Sequence, residues 1–322
     1  DIRRERLDLP AHPVTRRPND REGRTMRRPR WLAIATTLAV LAFTSKSPSL
    51  GRAGEPAAAT QAAVYSLANQ SYHLTASLAD GVVNLRLDDL RSGSCIADGP
   101  CMYHAVAQNG PKSDVTDRLE SPSITADGQT LTIRGKLLGL DVEHRFTAPK
   151  ERQLLEERVV VHNSGKQLVA LTDFEVGMQR RVADKDGTVL PEIAADRLVA
   201  VPFRHRAADP KEKMQDYSLQ EIVSQPGLEL HMDDIQCPWE RPSRPRVSEG
   251  WAWTHGGRVL CIFKFCQEHM QFSVVSKHQD AKGASLRFGG AIMLFGEPAD
   301  LCRMAPGATV DLGVVRYETL EG

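Results

Sequence analysis

The chain has 322 residues, with 41 Lys and Arg against 41 Asp and Glu, 41% hydrophobic residues and 6% aromatic ones. This is ordinary globular composition, which excludes wholesale disorder, collagen-like repeats and a multi-span membrane protein. A net charge of zero gives no reason to expect a nucleic-acid partner, provided that the charges are evenly spread, and they are not.

Residues 1–25 are arginine-rich, show no apolar periodicity and read as a non-native or unstructured leader. Met26 then opens a basic stretch with Arg27, Arg28 and Arg30, followed by the apolar run Trp31 to Phe43 and small or polar residues to Ala53. These are the three parts of a secretory signal peptide, and an apolar run of about 13 residues is too short for a spanning helix of about 20. The expected cut follows Ala53, with Ala57-Ala58-Ala59 as the other small-residue site. Removing residues 1–53 takes away 12 basic and 5 acidic residues, which leaves 29 against 36, a mature charge of about −7. An acidic exported domain, residues 54–322, has no electrostatic reason to seek nucleic acid or anionic lipid.

From Tyr65 onward the signal is period-two alternation broken by turn pairs. Leu74, Ala76 and Leu78 alternate with polar residues, Asp80-Gly81 follows, and Val83, Leu85 and Leu87 resume the pattern, which predicts a β-hairpin. The pattern recurs at Ile124 and Ala126, Asp127-Gly128, then Leu131 and Ile133. A strand through Leu140, Val142, His144 and Phe146 follows Gly139. Next come Leu155, Glu157, Val159 and Val161, a turn at Asn163 to Lys166, and a strand through Val169, Leu171 and Phe174. Consecutive hairpins at this spacing predict an all-β fold, a large antiparallel sandwich.

Residues 180–248 are rich in charge and proline and read as long loops around one short helix, Asp216 to about Ser224. Leu219, Ile222 and Val223 share a face there, and Ser218 with Glu221 fits a capping box. Strands return with Trp251 and Trp253, the turn His255-Gly256-Gly257, Arg258 to Phe265, a stretch reaching Val275, Ala291 to Phe295, and Thr309 to Tyr317.

Several residues could carry chemistry. Glu268 is in phase with Met270, Phe272 and Val274, so it sits either at the rim of a core or cavity, where its pKa would rise, or at a strand end paired to an arginine. Trp251 and Trp253 share a face and are either core or a platform for sugar rings, while Trp239, between Pro238 and Glu240 in a loop, is the more exposed indole. Arg204 and His205, within Phe203 to Arg206, could grip a carboxylate or hydroxyl groups, or simply pair with the acidic excess. Cys95 and Cys101 flank Asp98-Gly99-Pro100 and are the candidates for a local disulfide, whereas Cys261 and Cys266 should project to opposite faces. No Cys or His spacing resembles a zinc site, and there is no phosphate loop and no Gly-x-Ser-x-Gly elbow, so no metal and no cofactor are expected.

The segments Leu155 to Gly165, Val201 to Arg206 leading to Asp216-Tyr217-Ser218-Leu219, Glu249 to Thr254, and Cys266-Gln267-Glu268 resemble the N-terminal β-supersandwich of secreted, melibiase-like α-galactosidases, a galactose mutarotase-like fold. The resemblance runs over roughly residues 62–322. It implies a carbohydrate ligand, with Trp251, Trp253, Trp239, Arg204 and His205 as binding residues. It also implies a catalytic (β/α)₈ barrel as a partner domain, beginning about where this chain stops, at Arg316 to Gly322. The expected function is therefore a secreted or periplasmic, non-catalytic sugar-binding module. The alternatives are a stand-alone aldose mutarotase using Glu268 and His205, and an exported structural or adhesion sandwich with no sugar site.

Overall fold

The computed structural model describes residues 63–109, 112–201, 216–224, 246–248, 250–265, 271–293 and 302–321. All of them lie in one compact unit, Ala59–Gly322. In chain order the strands begin with β1 (Val64–Ala68), β2 (Tyr72–Ala79), β3 (Val82–Asp89), β4 (Ser94–Pro100), β5 (Met102–Asn109), β6 (Lys112–Thr116) and β7 (Glu120–Ala126). There follow β8 (Thr130–Leu137), β9 (Leu140–Thr147), β10 (Leu154–His162), β11 (Val169–Asp184), β12 (Arg197–Val201), β13 (Asp216–Ser218) and the helix α1 (Leu219–Ser224). The last are β14 (Arg246–Ser248), β15 (Gly250–His255), β16 (Arg258–Phe265), β17 (Gln271–Asp280), β18 (Gly283–Met293), β19 (Cys302–Met304) and β20 (Thr309–Glu321).

The strands form three antiparallel sheets. One holds β1-β2-β3-β4, a nine-stranded one runs β13-β12-β15-β16-β20-β10-β9-β8-β7, and a seven-stranded one runs β14-β17-β18-β11-β5-β6 with β19 on β11. The predicted hairpins are present. Between β2 and β3, Asp80 and Gly81 both take left-handed dihedrals (φ 52° and 69°), the paired positive values that a two-residue turn needs to match strand twist. The Ser218 and Glu221 capping box forms: the Glu221 carboxylate accepts from the Ser218 backbone N–H at 2.7 Å and Ser218 Oγ from the Glu221 N–H at 3.2 Å. Leu219, Ile222 and Val223 are buried, as their spacing implied.

Two expectations change. The turn after β10 does not close a hairpin; it carries the chain from the nine-stranded sheet to β11 at the centre of the seven-stranded one. Asn163 fixes that crossover by donating from Nδ2 to the carbonyls of Gln167 (2.8 Å) and Met304 (2.7 Å). Cys95 and Cys101 are free thiols rather than a disulfide. Asp98-Gly99 is not a turn but part of extended β4, which carries the two cysteines apart at about 3.3 Å per residue, far beyond bridging range. Cys95 Sγ instead contacts the Ala97 carbonyl, and Cys101 Sγ the Gly177 carbonyl at 3.1 Å.

One continuous core joins the sheets. Its centre holds a polar network in which every member has a partner. His144 on β9 is bonded through Nε2 to Glu157 Oε1 (2.6 Å) and through Nδ1 to the Tyr103 hydroxyl (3.0 Å), and the Tyr317 hydroxyl donates to Glu157 Oε2 (2.5 Å). His144 and Glu157 are 0% and 1% exposed, so only such complete pairing makes their burial tolerable. Burial and the Glu157 charge push the Tyr317 hydroxyl pKa well up, so the proton stays on the donor.

Trp251 and Trp253 share a face, as their spacing requires, and that face is the core. Trp251 is 0% exposed and donates to the Ser273 carbonyl across the sandwich at 3.2 Å, and Trp253, 5% exposed, stands edge-on to Phe288 at 5.9 Å. Neither indole face is open to a sugar ring, because both are spent on packing between the sheets.

Candidate functional site

The outward face of the seven-stranded sheet is where titratable side chains gather. Its central strand alternates cleanly: Phe174, Val176 and Met178 point to the core, while Asp173, Glu175 and Gln179 occupy the other face. Register then decides what stands beside them. Glu175 is directly opposite His104 on β5, and Gln179 is opposite Arg287 on β18. Arg287 donates from Nε to Gln179 Oε1 at 3.4 Å, and His104 Nδ1 lies 2.6 Å from Asp117 Oδ1. His278 on β17 shares this face through its pairing with Ser285, which itself faces Arg181.

The electrostatics are unusual for a sheet surface. Glu175 is only 9% exposed, and burial raises its pKa to about 7 against the pull of His104 and Arg287, with Asp173 and Asp117 adding to the rise. Burial also lowers the pKa of Arg287, and burial together with Arg287 lowers that of His278. A carboxyl group that is half protonated near pH 7, facing an imidazole, suits proton exchange in either direction.

Between the Glu175–His104 row and the Gln179–Arg287 row stand two glycines, Gly177 and Gly289, paired with each other. A Cβ on Gly177 would lie 2.1 Å from the Phe288 carbonyl oxygen, and one on Gly289 would lie 2.2 Å from that of Val176. No side chain fits at either position, so a strip of bare backbone separates the two polar rows.

Concavities lie elsewhere among the described residues. On the outward face of the nine-stranded sheet a trough of about 500 Å³ is lined by Ser123, Arg134, Lys136, Asp141, Glu143 and His162. Its charges are spent on one another, Arg134 with Glu143 at 2.7 Å and Lys136 with Asp141 at 2.6 Å, which describes a solvated charged surface. A smaller cavity of about 40 Å³ opens where all three sheets meet, lined by Asp89 and Cys95, Arg180, Asp196, Trp253, His255 and Arg258. There Asp196 accepts from Trp253 Nε1 at 2.8 Å and from His255 Nδ1 at 2.9 Å.

Of the residues singled out in the sequence, Trp251 and Trp253 belong to the core, only the latter reaching the edge of a cavity. Arg204, His205, Trp239 and Glu268 lie outside the described residues. The outward cluster of Glu175, His104, Gln179, Arg287 and His278 was missed. Its signal is one of phase: polar residues at 173, 175 and 179 alternate with apolar ones past Phe174. Among the described residues no group of three or more His, Cys, Asp and Glu is placed to hold a metal ion.

No protein-family model matches the sequence, and no curated protein matches it. Solved structures do. The fold is similar to a galactose mutarotase-like protein from Lactobacillus casei at 10% identity and a TM-score of 0.45, over 80% of this chain and 100% of the other. It is similar to a galactose mutarotase related enzyme from Lactobacillus acidophilus at 8% identity and a TM-score of 0.47, over 80% and 97%. The GH36 α-galactosidase AgaA from Geobacillus stearothermophilus is matched at 11% identity and a TM-score of 0.46, again over 80% of this chain but only 41% of the enzyme.

Proposed function

We propose that this chain is an exported carbohydrate-binding β-sandwich whose ligand lies on the outward face of the seven-stranded sheet. The observation that carries the reading is the pair of polar rows, Glu175 with His104 and Gln179 with Arg287, on either side of the bare Gly177–Gly289 strip. Planar carboxyl, amide and guanidinium groups each present two hydrogen-bonding atoms in a fixed plane, the geometry that grips adjacent hydroxyl groups of a sugar. Calorimetric titration with D-galactose, D-glucose and oligosaccharides containing them should show saturable binding that His104→Ala weakens at least tenfold. Absence of binding to the whole panel overturns the reading.

A second reading is favoured by the pKa of Glu175 near 7: aldose 1-epimerisation. In that reaction a base removes the proton from the anomeric hydroxyl while an acid protonates the ring oxygen. The C1–O5 bond then breaks, the carbonyl carbon turns, and the steps reverse. Glu175 and His104 stand as the base and acid of that exchange. Fresh α-D-galactose should lose optical rotation faster with the protein than without, and Glu175→Gln should abolish the gain. An unchanged relaxation rate dismisses the enzyme and leaves the binding module.

A further inference from the structure

We propose that the small cavity where the three sheets meet is a binding site for a compact oxyanion, a carboxylate, sulfate or phosphate group, held by Arg180. This site is separate from the outward face of the seven-stranded sheet and stands or falls independently of the sugar-binding reading.

Arg180 has the inward phase of β11, alongside Val176, Met178 and Val182, and is only 6% exposed. Its Nε and Nη1 meet no protein acceptor, and among the described residues no carboxylate lies within ion-pair distance of it. Its neighbour is the Cys95 thiol, whose pKa is raised by burial against the pull of Arg180, so the sulfur supplies no full negative charge. A guanidinium taken out of water without a counter-charge is among the costliest arrangements in a protein interior. Most buried arginines in such a position face a carboxylate; this one faces a cavity.

The two carboxylates of that cavity are already committed. Asp196 accepts from Trp253 and His255, as described above. Asp89 accepts from the Arg91 backbone N–H at 2.9 Å, with Arg91 Nε 3.7 Å away and Arg258 Nη1 3.9 Å away. Arg258 Nη1 itself has no hydrogen-bond acceptor. The cavity is therefore lined by two permanent cations that between them carry three buried nitrogens without an acceptor, and a planar or tetrahedral oxyanion drawn in against them would satisfy several at once. Size sets the limit. About 40 Å³ corresponds to roughly three water molecules, room for the oxygens of one anionic head but not for a sugar ring. A larger ligand would place only its charged group here.

Thermal unfolding of the full chain, followed with inorganic phosphate, sulfate, D-glucuronate, D-glucose and chloride at matched ionic strength, tests this. Oxyanions should raise Tm saturably above chloride and neutral D-glucose should not. If D-glucuronate acts at lower concentration than phosphate or sulfate, the natural group is a carboxylate on a larger molecule; the reverse order indicates a free inorganic anion or an ester of one. Arg180→Met should abolish the response while leaving anion-free Tm equal or higher, because it removes an unpaired buried charge. Arg180→Lys, which keeps the charge but not the fork, should bind at least tenfold more weakly. No oxyanion effect beyond chloride, or an effect unchanged in Arg180→Lys, overturns the proposal.

Discussion

Among the described residues, one carboxyl–imidazole pair lies in the core and another stands on the far face of the seven-stranded sheet, and they are built to opposite ends. Inside, Glu157 and His144 are closed off by Tyr317 and Tyr103, with each polar atom given one short partner. Outside, Glu175 faces His104, but the imidazole is turned to Asp117 at 2.6 Å and the carboxyl group is left to titrate near neutrality. The first arrangement suppresses proton traffic and the second invites it. The difference comes from the completeness of the partners around each pair.

The sharpest way to break the inner pair is Glu157→Ala. It leaves His144 Nε2 and the Tyr317 hydroxyl without acceptors in a dry core, and should cost about 3–5 kcal/mol of unfolding free energy in urea titrations. A loss below about 1 kcal/mol would mean that water reaches the site. The outer pair should show its character through pH. The folded-state pKa of Glu175 is raised to about 7 from an unfolded value of 4.5, so the unfolded chain gives up this proton first as pH rises. Its penalty is absent below about pH 4.5, grows between about 4.5 and 7, and is complete above that, at about 3 kcal/mol. Glu175→Gln should therefore leave stability at pH 4 unchanged and raise it at pH 8 by up to about that amount. Equal pH profiles for the two proteins would show that Glu175 ionises freely in the fold. Smallest is Tyr317→Phe, which removes one donor to Glu157 and should cost about 1–3 kcal/mol with no change in the slope of stability against pH between 5 and 8.

Much of this was readable in advance, and the limits are physical. Hairpins such as that at Asp80-Gly81 are local, so alternation and a turn pair suffice to specify them. Sheet membership is not local. The turn at Asn163 looks like any other, and only the later strands that flank β10 and β11 reveal that it changes sheets. The inner pair carried a signal that went unused: His144 lies in phase with Leu140, Val142 and Phe146, and Glu157 with Leu155, Val159 and Val161. Trp251 and Trp253 show the reverse limit, since alternation established that they share a face but not what covers it.

The position of β20 has a consequence for how the chain reaches this state. Among the described residues it lies between β16 and β10 and joins the two halves of the nine-stranded sheet. The contact it makes with β10 closes over a long stretch of chain: Tyr317 and Glu157 are 160 positions apart. During synthesis the edges of β10 and β16 must therefore wait, unpaired, until this strand has emerged. Chains dominated by such distant pairings fold slowly, and waiting strand edges are where they stick to one another. Yield of soluble protein should thus depend on chaperone supply more than on the stability of the finished sandwich.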